Sequence, residues 1–284
     1  MLSPDVQGNP TLSPAGRPGT EAPIIEAKNV GVAFGKEGDP RRVVALQDAS
    51  LTVRRGELVS LIGPSGCGKS SLLNIIGGLA QATSGQVLID GEPVNKPLPQ
   101  KVAYVFQEST LFPWKNVLDN IILGMAFQGV PKAERHERAV DALKAVGLPG
   151  FAEHYPSQLS GGMRQRVQLA RALALQTDVI LMDEPFAALD EQTRMVLGEE
   201  LSILLAKTGK TIIFVTHSLV EAVFLADRIA VFSARPGRIM TEIAVGEPHP
   251  RRPEFMTAPK LHALRDELYG LLRDEIRKTL DVGH

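Results

Sequence analysis

Residues 63–70 read Gly-Pro-Ser-Gly-Cys-Gly-Lys-Ser. Glycines at this spacing let successive backbone N–H groups turn inward, and the lysine and hydroxyl that follow add a cation and an oxygen ligand. Such a loop suits a polyphosphate with its Mg²⁺. Gly63, Pro64, Ser65, Gly66, Cys67 and Gly68 form the candidate cradle, and Lys69 is the cation for the β and γ oxygens. Ser70 is the candidate Mg²⁺ ligand, and Ser71 offers a further hydroxyl for the α-phosphate. Cys67 reads as a small space-filling side chain rather than a nucleophile. Its place in the loop predicts that alkylation blocks nucleotide binding and that nucleotide shields the thiol.

Two further runs end in groups that act on phosphate chemistry. "VILMDE" delivers Asp183 and Glu184 at the end of an apolar run. By itself such a pair caps a helix or closes a turn as readily as it catalyses. Downstream of a phosphate loop it reads as Asp183 serving Mg²⁺, directly or through water, and Glu184 polarising the attacking water. His217 closes "TIIFVTH" and Gln107 closes "KVAYVFQ". Each has a weak individual case, since a histidine after a strand is often structural, but the Gln107 amide oxygen is able to ligate Mg²⁺.

A second glycine motif, "LSGGMRQR" at residues 159–166, precedes a helical pattern yet carries no lysine. Ser160, Gly161 and Gly162 place N–H groups at a helix start, with Val167, Ala170 and Ala174 as the buried stripe. Arg164, Arg166 and Arg171 read mainly as a solvated face.

The elements that position these groups alternate short apolar runs with helical patterns, which predicts an α/β domain. "IIEAKNVGVAF", "VVALQDASLTV" and "QVLIDG" read as an early antiparallel β region, and "ELVSLIG" as a strand entering the phosphate loop. After it a helix carries Leu72, Leu73, Ile75, Ile76 and Leu79. Residues from about 108 to 172 read as a helical subdomain, and a C-terminal amphipathic helix over about 258–280 carries Leu261, Leu264, Leu268, Leu271 and Ile276. Residues 1–23 are rich in Pro, Gly, Ser and Thr and read as a disordered tail, leaving 24–284 as the domain.

Bulk properties narrow the function. The net charge of −1 gives no basic excess, which counts against nucleic acid as a partner. The single cysteine, Cys67, fits a reducing compartment, the cytoplasm. No apolar run approaches the roughly 18 residues that cross a bilayer, so any membrane role needs a separate anchor.

The ordered set "GPSGCGKS", Gln107, "LSGGMRQR", "VILMDEPFAALD" and "VTH" resembles the ATP-binding subunits of ABC transporters, from residue 24 onward. The resemblance implies a P-loop NTPase (RecA-like) core sheet with an antiparallel β region and an inserted α-helical subdomain, binding ATP and Mg²⁺. It implies Phe34 as the aromatic stacked on adenine, Gln107 as the Q-loop and Ser160 to Gly162 as the signature. It also implies Asp190 as the D-loop carboxylate and His217 as the switch histidine. It further implies a head-to-tail pair of chains in which the signature of one caps the γ-phosphate held by Lys69 of the other, so the lysine-free glycine motif completes a partner's site. With no internal repeat, the chain is one ATPase unit.

"LFPWKNVLDNIILGM", "YPSQLSGG" with Met163 at the fifth signature position, and "EAVFLADRIAVFSARPGRI" resemble the importer group for nitrate, sulfonate, taurine and similar solutes, including pyrimidine precursors. That resemblance implies two transmembrane permease subunits, indirectly a solute-binding protein, and a peripheral place on the cytoplasmic face of the inner membrane. Leu111, Phe112, Pro113 and Trp114 are then candidates to receive a helix of the membrane subunit, or alternatively pack the helical subdomain. The alternatives are an ATPase of another transporter type, a soluble ABC ATPase acting on nucleic acid or ribosomes, and a catalytically dead regulatory subunit.

Overall fold

A computed structural model describes residues 22–281. The expected tail lies outside the described residues except for its last two positions, and Pro23 already opens β1 (Pro23–Phe34). Two sheets organise the chain. β1 pairs antiparallel with β2 (Val43–Arg54) and β4 (Ser84–Ile89), and β4 pairs with the short β5 (Glu92–Pro93).

The second sheet has the order β10-β9-β3-β8-β7-β6, where β3 is Leu58–Ile62, β6 Val102–Val105, β7 Val179–Asp183, β8 Thr211–Val215, β9 Arg228–Phe232 and β10 Ile239–Ala244. Every pairing from β9 to β6 is parallel, and only β10 joins antiparallel at the edge. β3, β7 and β8 are buried along their whole length, which is why their sequences are almost wholly apolar rather than alternating, with Ser60 the polar residue inside β3.

Helix α1 (Lys69–Ile76) lies between the two sheets, and Leu72, Leu73, Ile75 and Ile76 fill that core with Ile25, Leu51, Leu61 and Val215. The opposite face of the central sheet carries the other helices. α2 (Val117–Phe127), α3 (Lys132–Ala145) and α4 (Gly161–Ala174) pack on one another, and α4 reaches β6. α5 (Glu191–Thr208) links β7 to β8, while α6 (Leu219–Leu225) packs against β3 and against α7 (Pro259–Asp281).

Two helical expectations need correction. α1 stops at Ile76 because Gly77 and Gly78 follow, the latter at φ 69°, so Leu79 leaves the helix and is 48% exposed. On α7 the buried residues are Leu261, Leu268 and Leu272 with Leu264 partly covered, whereas Leu271 and Ile276 face solvent. The helix is turned so that Glu275, not Ile276, enters the protein.

Candidate active site

Parallel strands of a doubly covered sheet place their successors at one edge, the usual ligand site of such sheets. Here the edge carries, in spatial order, the segment after β9, the glycine loop after β3, His217 after β8, Asp183 and Glu184 at the end of β7, and Gln107 after β6. The chain order is different, so the fold and not the sequence brings these residues together.

The loop requires its glycines. Gly68 is left-handed at φ 100°, and a Cβ there would meet the Ala45 carbonyl oxygen at 2.9 Å. At Gly63 a Cβ would meet Phe232 Cβ at 2.7 Å, so the loop packs directly on β9. Gly68 is also the N-cap of α1 and supplies no side-chain cap, and the first turn has no acidic residue. By contrast α2, α4 and α6 are capped by Asn116, Ser160 and Ser218. α1 thus presents uncapped N–H groups and its positive end to an anion.

Lys69 is buried, and its Nζ donates to the carbonyls of Gly63 and Pro64, each at 2.9 Å. Ser70 Oγ donates to Asp183 Oδ1 at 3.0 Å. Burial raises the Asp183 carboxyl above its ordinary value, opposed by the Ser70 hydroxyl and then raised again by the charge of Glu184. Glu184 sits at φ 47°, a left-handed conformation costing on the order of 1 kcal/mol for a non-glycine residue. That turn takes its carboxylate off the strand. Oε1 comes 2.6 Å from His217 Nε2, and Oε2 accepts from Gln107 Nε2 at 3.2 Å.

A cleft of about 510 Å³ is lined by Phe34, Ala45, Ser65, Gly66, Gly68, Lys69, Ser70, Ser71, Gln107, Glu184, His217 and Arg235, with Asp183 behind Ser70 rather than on the wall. Phe34, at the end of β1, offers an aromatic face that is 57% exposed. The donor set fits a nucleoside triphosphate with Mg²⁺: an aromatic ring, uncapped N–H groups, one ammonium, and the Ser70 and Asp183 oxygens that a hard cation prefers. Gly63, Pro64 and Cys67 of the loop are not among the residues lining the cleft. The Cys67 side chain is 1% exposed, with Sγ 3.6 Å from Lys69 Nζ. A thiol reagent must therefore open the loop to reach Cys67, and whether its modification blocks nucleotide binding is left to experiment.

Four expected residues are elsewhere. Ser160 caps α4, its Oγ accepting from the Met163 N–H at 3.2 Å, and Asp190 accepts from the Thr193 N–H at 2.9 Å, which holds its carboxyl below the ordinary value. Gly162 packs so closely that a Cβ would meet Leu189 Cδ2 at 2.7 Å. Ser160, Gly161, Gly162 and Asp190 do not line the cleft that holds Lys69.

α4 is nonetheless tied to the cleft from behind. Gln165 Nε2 lies 3.4 Å from the Gln107 carbonyl and 3.5 Å from that of Glu184. Gln168 accepts from both the N–H and the hydroxyl of Thr110, and Arg171 donates to the same residue. Arg164 and Arg171 are half-buried and bonded to backbone carbonyls, which corrects the reading of this face as merely solvated. Sequence reasoning also missed Ala45 and Arg235. The Arg-Pro-Gly turn after an apolar strand was the available signal for Arg235.

Fold and site together define a P-loop ATPase. Residues 46–187 match the family model described as ABC transporter. An uncharacterized ABC transporter ATP-binding protein of Methanocaldococcus jannaschii is 45% identical, covering 90% of this chain and 94% of its own length. The taurine import ATP-binding protein of Pseudomonas aeruginosa is 44% identical over 78% of this chain and 83% of its own length. The nitrate import ATP-binding protein of Synechococcus elongatus, a longer protein, is 42% identical over 82% of this chain and 36% of its own. Among solved structures, a dimeric ATP-binding cassette in a post-hydrolysis state bound to ADP and Pi superposes with a TM-score of 0.72 at 35% identity, covering 79% of this chain and all of that one. The chain belongs to the ABC transporter family.

Proposed function

We propose that this chain is the ATP-hydrolysing subunit of an importer for a small solute of the kind its relatives are named for, taurine or nitrate, or of the related sulfonate and pyrimidine-precursor class. The observation that carries the catalytic part is the Glu184 carboxylate, held between His217 and Gln107 at the mouth of the cleft. In this reading Phe34 stacks on adenine, the loop N–H groups and Lys69 hold the phosphates, and Ser70, Asp183 and Gln107 hold Mg²⁺. The metal supplies neutralisation of phosphate charge. Glu184 polarises the attacking water, and His217 orients the carboxylate and senses the γ-phosphate.

Two copies pair head to tail, so that Ser160, Gly161 and Gly162 of one close over the phosphates held by Lys69 of the other, with Asp190 beside the junction. The separation of these residues from the cleft within one chain supports this pairing, as does the dimeric cassette among the similar structures. The difference in affinity for nucleotide between open and closed pairs then drives the attached membrane subunits.

Two transmembrane permease subunits would dock beside Trp114, and a solute-binding protein would act through them. Phe112 and Trp114 are in contact, and Trp114 is 71% exposed. Among the described residues no helix is long and apolar enough to cross a membrane, so anchoring at the cytoplasmic face falls to those partners. Affinity purification from detergent-solubilised membranes tests the assignment: recovery of an integral membrane protein in stoichiometric amount supports it. Recovery of ribosomes or nucleic acid, with hydrolysis stimulated by them, would replace it with the soluble alternative.

A further inference from the structure

The turn between β9 and β10 lies against the phosphate loop at two successive carbonyls. Arg235 donates from Nε and Nη2 to the Gly66 oxygen, at 3.0 and 2.8 Å. Two residues on, Gly237 is so close that a Cβ would stand 1.8 Å from the Cys67 oxygen, so no side chain is tolerated there. Gly237 is fixed in turn by β2, donating to the Ala45 oxygen at 3.0 Å and accepting from the Gln47 N–H at 2.9 Å. The other end of the turn is held by the C-terminal helix: Glu275, buried on α7, accepts from the Ala234 N–H through Oε2 at 2.7 Å, while its Oε1 takes the Lys278 ammonium. A continuous line of contacts therefore runs from α7 through Ala234 and Arg235 to the loop.

The physical consequence follows from peptide geometry. In a trans peptide the C=O and the following N–H point in opposite directions. Bidentate donation from a planar guanidinium fixes the plane of the Gly66–Cys67 peptide and aims the Cys67 N–H away from Arg235. Gly66 is at φ 71°, a region glycine visits freely, so without a partner this peptide has alternatives to rotate into. The guanidinium also covers a carbonyl oxygen that would repel an anion.

We propose that Arg235 is a positioning residue of the nucleotide site: braced by Glu275 from the C-terminal helix, it holds the Gly66–Cys67 peptide in the orientation that receives the phosphates. The inference rests on reading the cleft as the nucleotide site. It assigns α7 a role in nucleotide affinity, and it assigns Arg235 to the loop rather than to one phosphate.

The test is titration of ATP and of ADP, with Mg²⁺, onto the purified full chain, with melting measured without nucleotide. Arg235→Ala, a change at an exposed side chain, should raise Kd for ATP and ADP alike by about tenfold, the loss of a charge-assisted bidentate bond. KM should rise with Kd and kcat should fall less. Arg235→Lys should recover part of the affinity. Glu275→Ala should raise both Kd values in the same ratio to one another, Glu275→Gln, which keeps an acceptor for Ala234, should stay near wild type, and the double Ala variant should bind no more weakly than Arg235→Ala alone.

Unchanged Kd in Arg235→Ala overturns the proposal, as does loss confined to ATP, which would mean direct contact with the γ-phosphate. Independent, multiplying effects of the two Ala variants, or a Glu275→Gln chain as weak as Glu275→Ala, overturn the brace. Lys69→Ala serves as the reference: if wild type binds ATP and this variant loses it, the cleft reading stands whatever Arg235 does.

Discussion

Nε2 of His217 lies 2.6 Å from Oε1 of Glu184, across the ends of the adjacent strands β8 and β7. The pair is built by the left-handed turn at Glu184, which the Glu184 N–H stabilises by donating to the Val215 oxygen at 3.0 Å. A carboxylate held this way is placed to accept a proton, and its amide isostere is not. Glu184→Gln should keep ATP affinity and lower turnover by about 10²-fold or more, the usual contribution of a positioned base. ATP-dependent dimers of this variant should persist on size exclusion. Hydrolysis at the wild-type rate would remove Glu184 as the base.

Among the described residues Lys69 is the one ammonium lining the cleft, buried and bonded to loop carbonyls. Its replacement by Ala removes charge-assisted bonds to the phosphates, each worth about 1.5–3 kcal/mol, so Kd for ATP should rise by roughly 10- to 100-fold. Fluorescent-nucleotide displacement measures this directly, and an unaltered Kd would exclude Lys69 from phosphate binding.

How much of this was legible beforehand depends on range. The strands β3, β7 and β8 were legible because burial on both faces writes a short run that is apolar almost throughout, and the loop was legible because its chemistry is local. Gln107 and His217 carried little signal singly; they gain meaning only because β6 and β8 flank β7 in space. Arg235 escaped because its contact with Gly66 spans 169 positions of sequence. The facing of α7 escaped for another reason: Leu268, Leu271, Leu272 and Ile276 allow two stripes, and packing on α6 with the Glu275 bond to Ala234 selects one.

Exposure of Trp114 in an otherwise apolar segment separates docking from folding. Trp114→Ala removes little packing within the chain, so basal ATP hydrolysis and melting temperature should stay near wild type. If membrane subunits dock there as proposed, their retention on purification should fall, as it does when a central aromatic anchor is truncated. A melting temperature lowered by many degrees would instead assign Trp114 to the fold.

Asp227 ties β3 to the segment before α7. Burial alone would raise its carboxyl, but His249, 3.5 Å away, the Leu58 N–H at 2.8 Å and nearby Arg251 outweigh it and hold the group below the ordinary aspartate value. A depressed folded value contributes stability at pH above the unfolded value, lost as pH falls through the folded one. Urea midpoints of wild type should therefore drop faster than those of Asp227→Asn as pH is lowered below about 4. Parallel acid slopes in the two proteins would show that Asp227 is not coupled to folding.

Mixing two inactive variants tests the shared site. In the proposed head-to-tail pair each composite site would take Lys69 from one chain and Ser160 from the other. A Lys69→Ala chain retains its Ser160 and a Ser160→Arg chain retains its Lys69, so a mixed dimer holds one intact site and one doubly damaged site. Ser160 is exposed at the start of α4, so a larger side chain there blocks closure without disturbing a core. At equal amounts, random pairing makes half the dimers mixed, and independent sites then give about a quarter of wild-type hydrolysis from two proteins that are each inactive. Recovery should vanish if the chains are mixed at concentrations too low to associate. Ser160→Arg alone hydrolysing ATP at full rate, or a mixture as inactive as its components, would mean that the glycine motif does not complete a partner's site.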